Sequence, residues 1–447
     1  MRTSLIRTVL TVATALSAIG AQALATPLSI QDAVAIGLNR SPELGRAQAR
    51  TGSAEAGRDA ATRTWFPTVE VSGGAGLRHL ENDARVNVGL SAIDEKPLYA
   101  SVSVDQPLYD FGRRLTEGRT KESELRAARV DESGTAEQVA LNISKAYVQL
   151  LMQQRIVASA TENLAFHEAL AADVREGVAK GAMSVSEQQQ AAERLQTARV
   201  QLLSAQTDLA SAKDTLALLL GQGEAEVSLP PDATAALPAT LEDAVARAAA
   251  ADPSVEAALA RYDAARHATN RAETERWPTL GLQGAYRYGK DFEGYRGLTK
   301  DAQGLVVMRW KVFDGGVTAA QIRDAASRED EAWFVLAAAR RDSELDARVG
   351  WQRLQAVRQR LREQEERAGI AAQVLDSYKA QFGIGRRSLL DLLDAQAALY
   401  NARVESEVAK ATLILTEYAL LAQVRQLNAF LGTSARPVDP GLYGPER

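Results

Sequence analysis

The segment IQDAVA at residues 30–35 recurs as LEDAVA at residues 241–246, and this repeat decides the fold. Other matched pairs are FPTV at residues 66–69 with WPTL at 277–280, and LYDFG at residues 108–112 with VFDGG at 312–316. The IQDAVA and FPTV segments are separated from their counterparts by the same number of residues, and the LYDFG segment by slightly fewer. The two copies therefore differ in length only in a loop between these segments. The chain is therefore predicted to contain an internal duplication, two copies of one structural unit.

The amino terminus has the layout of a cleavable secretory signal. Arg2 and Arg7 precede an apolar run at residues 9–19, and the small-residue segment ALA follows at residues 23–25. The alternative is a membrane anchor, which needs about 20 apolar residues, more than this run supplies. We expect the mature chain to begin near Thr26.

Each copy shows the pattern helix, helix, strand, strand, long helix, long helix. A predicted signal peptide at 1–25 is followed by a first repeat at 26–229, with a β-hairpin at 68–106 and long helices at 113–221. A linker at 230–240 leads to a second repeat at 241–432, with a β-hairpin at 279–312 and long helices at 317–431. The remaining residues, 433–447, form a carboxy-terminal tail.

The long helices are indicated by two extended stretches without proline, residues 108–229 and 279–436. A proline inside a helix would cost about 3 kcal/mol. One helical pattern runs from about Arg113 to about Val178 and another from about Val317 to about Phe382. At 1.5 Å per residue each is on the order of 100 Å long, too long for a compact domain to bury.

Alternation of apolar with polar or small residues marks four strands. They begin near Val69, Ala100, Leu280 and Leu305 and form two hairpins with polar tips near residues 80–96 and 289–303. Such strands fit a barrel wall between lipid and water, and the alternative is the edge of a soluble sandwich. The four strands of one chain cannot close a barrel, so several chains must share one. Two chains would supply about eight strands and three chains about twelve, and only a barrel of about twelve strands leaves an open lumen.

Aromatic residues near the strand ends suit an interfacial girdle, although an ordinary hydrophobic core would also use them. They are Trp65, Tyr99, Tyr109, Trp277, Tyr286, Tyr288 and Trp310.

Composition argues against several classes of function. The absence of cysteine excludes disulfides, thiol catalysis and lipid attachment through an amino-terminal cysteine. The net charge of −5 argues against nucleic acid. The histidines His79, His167 and His267 lack metal-ligand spacing, and the run SGGAG at residues 72–76 lacks the lysine of a phosphate-binding loop. We therefore predict no catalytic residues, no metal and no cofactor, and the chain is not expected to be an enzyme.

The duplicated unit, the segment QPLYDFG at residues 106–112 and the segment GRRSLLDLLDA at residues 385–395 resemble the TolC family of outer-membrane efflux and secretion ducts. The resemblance covers essentially the whole mature chain. It implies an α+β membrane protein in the cell outer membrane: a homotrimer with a twelve-stranded β-barrel in lipid, four strands per chain, continued by a long α-helical barrel in the periplasm. The implied partners are a periplasmic adaptor protein and an inner-membrane pump, either an ATP-binding cassette exporter or a proton-driven pump.

The resemblance also implies that the narrow entrance of the duct lies where the two long helices of each copy meet. Asp391 and Asp394 match the paired aspartates of that entrance, and three chains would bring six carboxylates around one axis. Residues three apart share a helix face, and like charges held close attract cations and raise one another's pKa. The alternative is a solvated helix face on which Arg387 and Asp391 form an ordinary pair.

Arg387 matches the arginine that ties the entrance shut in the family, and Glu187 in the first copy matches its acidic partner. The tyrosine of that network corresponds to Phe382, which has no hydroxyl and makes no hydrogen bond. We therefore expect a closed state to depend on the contact between Glu187 and Arg387 and on packing. Partly exposed ion pairs contribute only about 0–1 kcal/mol, so this gate is expected to be weak and salt-sensitive.

The predicted function is an outer-membrane channel-tunnel, and the missing lipidation cysteine and the QPLYDFG segment favour type I protein secretion. A multidrug or small-molecule efflux duct is the main alternative. A soluble periplasmic coiled-coil scaffold would explain the helices but not the duplicated hairpins, and a passive porin would have no use for the long helices.

Overall fold

The computed structural model describes residues 27–81, 83, 87, 93–223, 226–291, 297–439 and 442. The predicted signal peptide and its cleavage site near Thr26 lie outside the described residues, as do parts of both hairpin tips and of the tail. Among the described helices, none combines the length and the apolar character that a membrane crossing requires.

The two copies place the same kinds of element in the same order. The first contains α1 (Ile30–Leu38), α2 (Pro42–Arg63), β1 (Thr68–Ala75), β2 (Arg78–Leu80), β3 (Ile93–Glu95), β4 (Leu98–Tyr109), α3 (Arg113–Ala179) and α4 (Val185–Leu220). A 3₁₀ turn (Thr234–Ala236) precedes the second, which contains α5 (Leu241–Ala251), α6 (Pro253–Thr274), β5 (Thr279–Lys290), β6 (Leu298–Arg309), α7 (Val317–Gly383), α8 (Leu389–Gln423) and the short α9 (Leu427–Phe430).

Helices α3 and α7 have 67 residues each and are therefore about 100 Å long. Helix α3 packs against α2, α4, α6 and α8, whereas α7 packs against α5, α6 and α8. The two differ in burial: α3 has buried residues along most of its length, but α7 leaves large apolar side chains exposed, among them Phe334 at 70% and Leu345 at 56%. Much of the apolar surface of α7 is thus uncovered within a single chain.

The main hydrophobic core lies where the chain termini and the linker cross the long helices. Tyr147 on α3 is fully buried, and its hydroxyl donates to the carbonyl oxygen of Leu28 at 2.6 Å and accepts from the N–H of Ser228 at 3.0 Å. The equally buried Tyr418 on α8 donates to the carbonyl of Pro231 at 3.1 Å. These two hydroxyls tie the amino-terminal segment and the linker to both copies.

The strands form one antiparallel sheet in the order β1-β4-β5-β6, with β2 and β3 paired separately. Strand β4 continues to Tyr109, beyond the predicted end at 106, and a register shift between Pro107 and Tyr109 accommodates a proline that lacks an N–H. Strand β6 begins at Leu298 rather than near Leu305 and ends at Arg309, because its pairing with β5 continues through a polar stretch whose composition resembles a loop.

Helices α3 and α7 each begin at a corner that is formed by an aspartate and a glycine. Asp110 accepts from the N–H of Arg114 at 3.2 Å and from its guanidinium at 2.7 Å. In the second copy Asp314 accepts from the N–H of Thr318 at 3.0 Å. The glycine that follows, with φ of 89° at Gly112 and 91° at Gly316, adopts the left-handed backbone that such a turn requires.

Helix α8 ends at Gln423, earlier than the predicted end of the long helices at residue 431. Arg425 has φ of 55°, which breaks the helix, and α9 then starts at Leu427. The buried carboxylate of Glu137 accepts from the N–H groups of Leu427 at 3.1 Å and Asn428 at 3.3 Å. A side chain 290 residues away in sequence therefore stabilises the second helix start, and a local pattern cannot reveal it.

Candidate functional site at the turns between the long helices

The candidate residues lie at two equivalent turns, between α3 and α4 and between α7 and α8. Each turn contains a left-handed glycine, Gly181 with φ of 72° and Gly385 with φ of 74°. Backbone bonds from Ala182 N–H to Gly177 and from Arg386 N–H to Gln381, both 2.9 Å, close the preceding helices. The turn geometry thus follows from glycines at the same position of both copies.

Glu187 and Asp391 occupy the same position after these turns, where each completes a capping box. The carboxylate of Glu187 accepts from the N–H of Ser184 at 2.7 Å and from its hydroxyl at 2.9 Å. Asp391 accepts from the N–H of Ser388 at 3.3 Å and from its hydroxyl at 2.8 Å. Both carboxylates therefore satisfy the free donors of a helix start.

These hydrogen bonds also stabilise the charged form of each acid. The backbone N–H and then the hydroxyl of Ser184 hold the pKa of Glu187 below its usual value. The hydroxyl of Ser388 is the main cause that lowers the pKa of Asp391, followed by its backbone N–H and the charge of Arg387. Within one chain, the local bonds of Asp391 thus oppose the rise in pKa expected from a ring of like charges.

Asp394 lies one turn further along α8, and its carboxylate faces a residue of the first copy. Its Oδ1 accepts from Nη2 of Arg194 on α4 at 3.3 Å, and its side chain is 61% exposed. Arg194 cannot be identified from the sequence, because no spacing rule connects residues 200 positions apart. The structure therefore gives one of the two predicted entrance aspartates an internal cationic partner.

Arg387 contacts residues of its own turn rather than Glu187. Its Nε donates to Oε1 of Gln381 at 3.1 Å, and its Nη1 lies 3.7 Å from the carboxylate of Asp391. Its guanidinium also stacks over the ring of Tyr378 at 4.2 Å. Arg387 and Asp391 thus form the i, i+4 pair of the alternative interpretation. Within the described chain, Glu187 and Arg387 are not in contact.

Phe382 is half-buried and packs against an apolar cluster below the turns. The buried members of this cluster are Leu170, Ala171, Val174, Ala191, Leu375, Leu389, Leu392, Leu393, Ala395 and Leu399. The cluster accounts for most of the pattern of the LLDLLDA segment, because Leu389, Leu392 and Leu393 face inward, whereas Leu390 and the aspartates are exposed. Phe382 therefore contributes to packing.

A buried polar bridge connects three helices close to Asp394. Asn163 on α3 is 3% exposed; its Nδ2 donates to Oε1 of Gln201 on α4 at 3.0 Å, and its Oδ1 accepts from Nε2 of Gln396 on α8 at 2.9 Å. His167 lies one turn further along α3 and is 5% exposed. Burial and then the charge of Arg194 lower the pKa of His167, so its imidazole is neutral at neutral pH.

The chemistry of this site is electrostatic. Two exposed carboxylates share one face of α8, next to two guanidinium groups that partly offset their charge. Such a surface can attract or repel passing ions and can be closed or opened by weak ion pairs.

Comparison with known proteins identifies a family over most of the chain. The family model described as Outer membrane efflux protein matches residues 35–222 and 244–433. These ranges include α3, α4, α7, α8 and the sheet.

Two characterised relatives and one solved structure are similar over most of their length. Outer membrane protein TolC of Vibrio cholerae serotype O1 is 26% identical over 401 residues, which are 85% of this chain and 87% of that protein. Outer membrane efflux protein BepC of Brucella suis biovar 1 is 24% identical over 331 residues, or 73% and 72%. The crystal structure of the outer membrane protein VceC from Vibrio cholerae superposes on this chain with a TM-score of 0.75 at 18% identity. The superposition covers 91% of this chain and 97% of that chain, so the fold is the same.

Proposed function

We propose a function for this chain from one premise: it belongs to the outer membrane efflux protein family. The protein acts as a duct in the cell outer membrane, and it carries substrates outward from a pump in the inner membrane. Family membership supports the location and the channel character.

The open sheet is the observation that carries this proposal. Strands β1 and β6 are its edges, and within the described chain each pairs on one side only. One face is apolar and solvent-exposed, with Val71 at 73%, Val306 at 71% and Met308 at 61%. Unpaired edges and exposed apolar surface are both unfavourable in water, and closure with other subunits removes both. Three chains, each giving four strands, make a twelve-stranded barrel.

The long helices support the second half of the duct. A helix of about 100 Å reaches far beyond a bilayer with a hydrocarbon core of about 30 Å. The apolar residues that α7 exposes need cover, and the neighbouring subunits of a homotrimer supply it in a helical barrel. The helices run from the sheet to the two turns, so the turns form the end of the tunnel that faces the inner membrane.

The candidate residues then take the following roles at that end. Asp391 and Asp394 line the entrance and favour cations. Arg387 restrains the entrance through Tyr378, Gln381 and Asp391, and Phe382 anchors the turn in the apolar cluster. Glu187 belongs to the gate network through its cap at the first turn, and a contact with Arg387 would have to form between subunits. A periplasmic adaptor protein and an inner-membrane pump dock there.

For the cargo, we propose type I protein secretion served by an ATP-binding cassette exporter. The QPLYDFG segment at the start of α3 and the absence of a cysteine for lipid attachment support this choice. Small-molecule efflux with a proton-driven pump is the second candidate, because the family description and the name of the relative BepC both refer to efflux.

The barrel is tested with substitutions on opposite faces of one strand. Val71 and Ser72 are adjacent in β1, so their side chains point to opposite faces of the sheet. Val71→Lys puts a charge on the lipid face, where it costs about 2–4 kcal/mol at the midplane, whereas Ser72→Lys faces the watery lumen. We expect the first variant to lose heat-resistant trimers in outer-membrane extracts and the second to keep them. Monomers in mild detergent from the unmodified protein, or equal tolerance of both variants, would contradict the barrel.

The cargo is tested by deleting the gene in the source bacterium and restoring it on a plasmid. A secretion duct predicts the loss of one or more proteins from the culture medium with unchanged drug susceptibility. An efflux duct predicts higher sensitivity to small toxic compounds with an unchanged set of secreted proteins. The plasmid copy must reverse whichever phenotype appears.

A further inference from the structure

The ion pair between Arg194 and Asp394 joins the two copies at the turns. Arg194 belongs to α4 of the first copy and Asp394 to α8 of the second, and the two atoms of the pair are 3.3 Å apart. We propose that Arg194 determines the ion selectivity of the entrance by neutralising Asp394. This inference rests on the proposed function, since it takes the turns to be the entrance of a duct.

The pair is positioned by buried contacts, so it is a stable feature of the packing. Asn163 on α3 holds Gln201 on α4 and Gln396 on α8 at the same time, with bonds of 3.0 and 2.9 Å. Gln396 is two residues from Asp394, and both glutamines bind a residue that is 3% exposed. Breaking either bond would leave a buried polar group unsatisfied, which is unfavourable. The bridge therefore keeps α4 and α8 in register.

Packing holds the helix of Arg194 against the base of the turns, where its guanidinium lies between two carboxylates, those of Asp394 and Glu193. Ala191, one turn earlier on α4, is 3% exposed in the apolar cluster, so this helix lies against the packed base of the turns. The side chain of Arg194 is 36% exposed, and Glu193 lies 3.5 Å away as a second acidic neighbour. His167 faces the same region but is buried and neutral, so it does not compete as a cation for Asp394.

The resulting charge balance sets what the entrance presents to passing ions. Each chain contributes Asp391, which is partly offset by Arg387 at 3.7 Å, and Asp394, which is partly offset by Arg194 at 3.3 Å. Around a threefold axis, loss of Arg194 would leave three additional uncompensated carboxylates. Charges at a pore lining act on ions that pass within about 10 Å at moderate salt, so these carboxylates would favour cations.

The chain offers a matched control for this experiment. Arg199 lies five residues later on the same helix, is 54% exposed and faces Glu168 at 3.9 Å. The substitution Arg199→Gln removes the same charge from α4 but leaves Asp394 with its partner. Arg194→Lys keeps the charge at the site and provides a second control for effects of side-chain shape.

The test uses the purified full-length protein in planar lipid bilayers, with reversal potentials measured in a KCl gradient. We expect Arg194→Gln to raise the cation-to-anion permeability ratio by about two-fold, the size of effect for one partly screened charge per chain. Arg199→Gln and Arg194→Lys should stay close to the unmodified protein. Adding Asp394→Asn to Arg194→Gln should return the ratio to the unmodified value, because the net charge is then restored.

Two results would overturn the inference: an unchanged ratio in Arg194→Gln, or an equal rise in Arg199→Gln. Both are distinct from failure of the proposed function, in which the unmodified protein forms no channels at all. A variant that merely loosened the turns would change the conductance of cations and anions together, which the reversal potential would not register.

Discussion

The guanidinium of Arg387 lies over the ring of Tyr378, with 4.2 Å between its Cζ and the ring centroid. Tyr378 belongs to the last turns of α7, and Arg387 stands immediately before the cap of α8. The contact therefore folds the second turn back on its own helix. A guanidinium stacked on an aromatic ring at an exposed site contributes about 0.5–1 kcal/mol. The aromatic partner of Arg387 is thus Tyr378, through its ring, rather than Phe382.

Arg387→Ser is expected to raise single-channel conductance or open probability, because it removes the stack on Tyr378 and the bonds to Gln381 and Asp391 together. Each of these contacts is worth up to about 1 kcal/mol, and each 1 kcal/mol lost corresponds to a change of roughly five-fold. Tyr378→Phe keeps the aromatic ring and should behave like the unmodified protein, whereas Tyr378→Ala loses the ring and should raise the channel conductance partly. The exposed neighbour Arg386 supplies the control variant Arg386→Ser. Unchanged bilayer recordings for Arg387→Ser would remove this residue from the gate.

Replacing both aspartates of the proposed entrance, Asp391→Asn with Asp394→Asn, is expected to lower cation selectivity by roughly two-fold or more, because the proposed trimer would lose six negative charges. Asparagine is preferable to alanine at residue 391, since an amide oxygen can still accept from Ser388 and preserve the helix start. Reversal potentials in a salt gradient measure the effect. Asp208→Asn, on the exposed face of α4, is the control, and identical potentials in the double variant and the unmodified protein would argue against the acidic entrance.

Cation selectivity is expected to persist to a pH below the ordinary pKa of aspartate, 3.8, because bonds from Ser388 lower the pKa of Asp391. Because the pKa of this acid is lowered, the charge of Asp391 and its stabilising bonds are present above pH 3.8 and are lost as the pH falls through the lowered pKa. In Ser388→Ala these bonds are missing and repulsion within the ring acts alone, so the midpoint should move to higher pH. Reversal potentials recorded across acidic pH give both midpoints, and coincident curves would contradict this role of Ser388.

Phe111 adopts φ of 52°, in the region where the second copy has Gly315 with φ of 69°. Its ring stacks on Trp277 with centroids 5.3 Å apart, which offsets the backbone strain. Phe111→Ala should lower the free energy of unfolding by about 1–2 kcal/mol, because it loses the stack and keeps the strain. Phe111→Gly should lower it less, because glycine relaxes at positive φ. Thermal unfolding measures both, and a larger loss for glycine would show that the backbone at this corner is unstrained.

His167 is expected to make thermal stability depend on pH. Burial and the charge of Arg194 lower its pKa below 6.5, so the unfolded chain binds a proton that the folded chain resists. Stability should therefore fall as the pH drops below 6.5, by up to about 1.4 kcal/mol per pH unit, and recover above it. His167→Gln should flatten this part of the curve. Burial also lowers the pKa of the less buried His267, so His267→Gln should flatten the curve too, but by less. A curve that stays equally steep in His167→Gln would exclude the buried histidine as its cause.

The elements of the fold could largely be predicted because their signals are local. A helix of 67 residues such as α3 needs an unbroken stretch without proline, and a strand such as β1 needs alternation over a few residues. Strand β6 shows the limit of this reasoning: its first half is polar, and only its ladder with β5 makes it a strand. The end of α8 is similar, since Glu137 from α3 holds the start of α9.

Only part of the candidate site could likewise be predicted from the sequence. Asp391 and Asp394 could be placed on one face of a helix from their spacing, and Arg387 could be placed four residues from Asp391. Their partners could not be derived. Tyr378 meets Arg387 across a turn, and Arg194 meets Asp394 across 200 residues of sequence. No periodicity encodes such distances, because they depend on how the two copies pack against each other.

The sequence by itself determined the duplication, the kinds of element and the positions of charge along each helix, because helix period, strand alternation and turn chemistry act over a few residues. Tertiary structure alone decided which charges meet. The buried bridge of Asn163 with Gln201 and Gln396 sets the register of α4 against α8. That register, which results from packing between distant segments, brings Arg194 to Asp394.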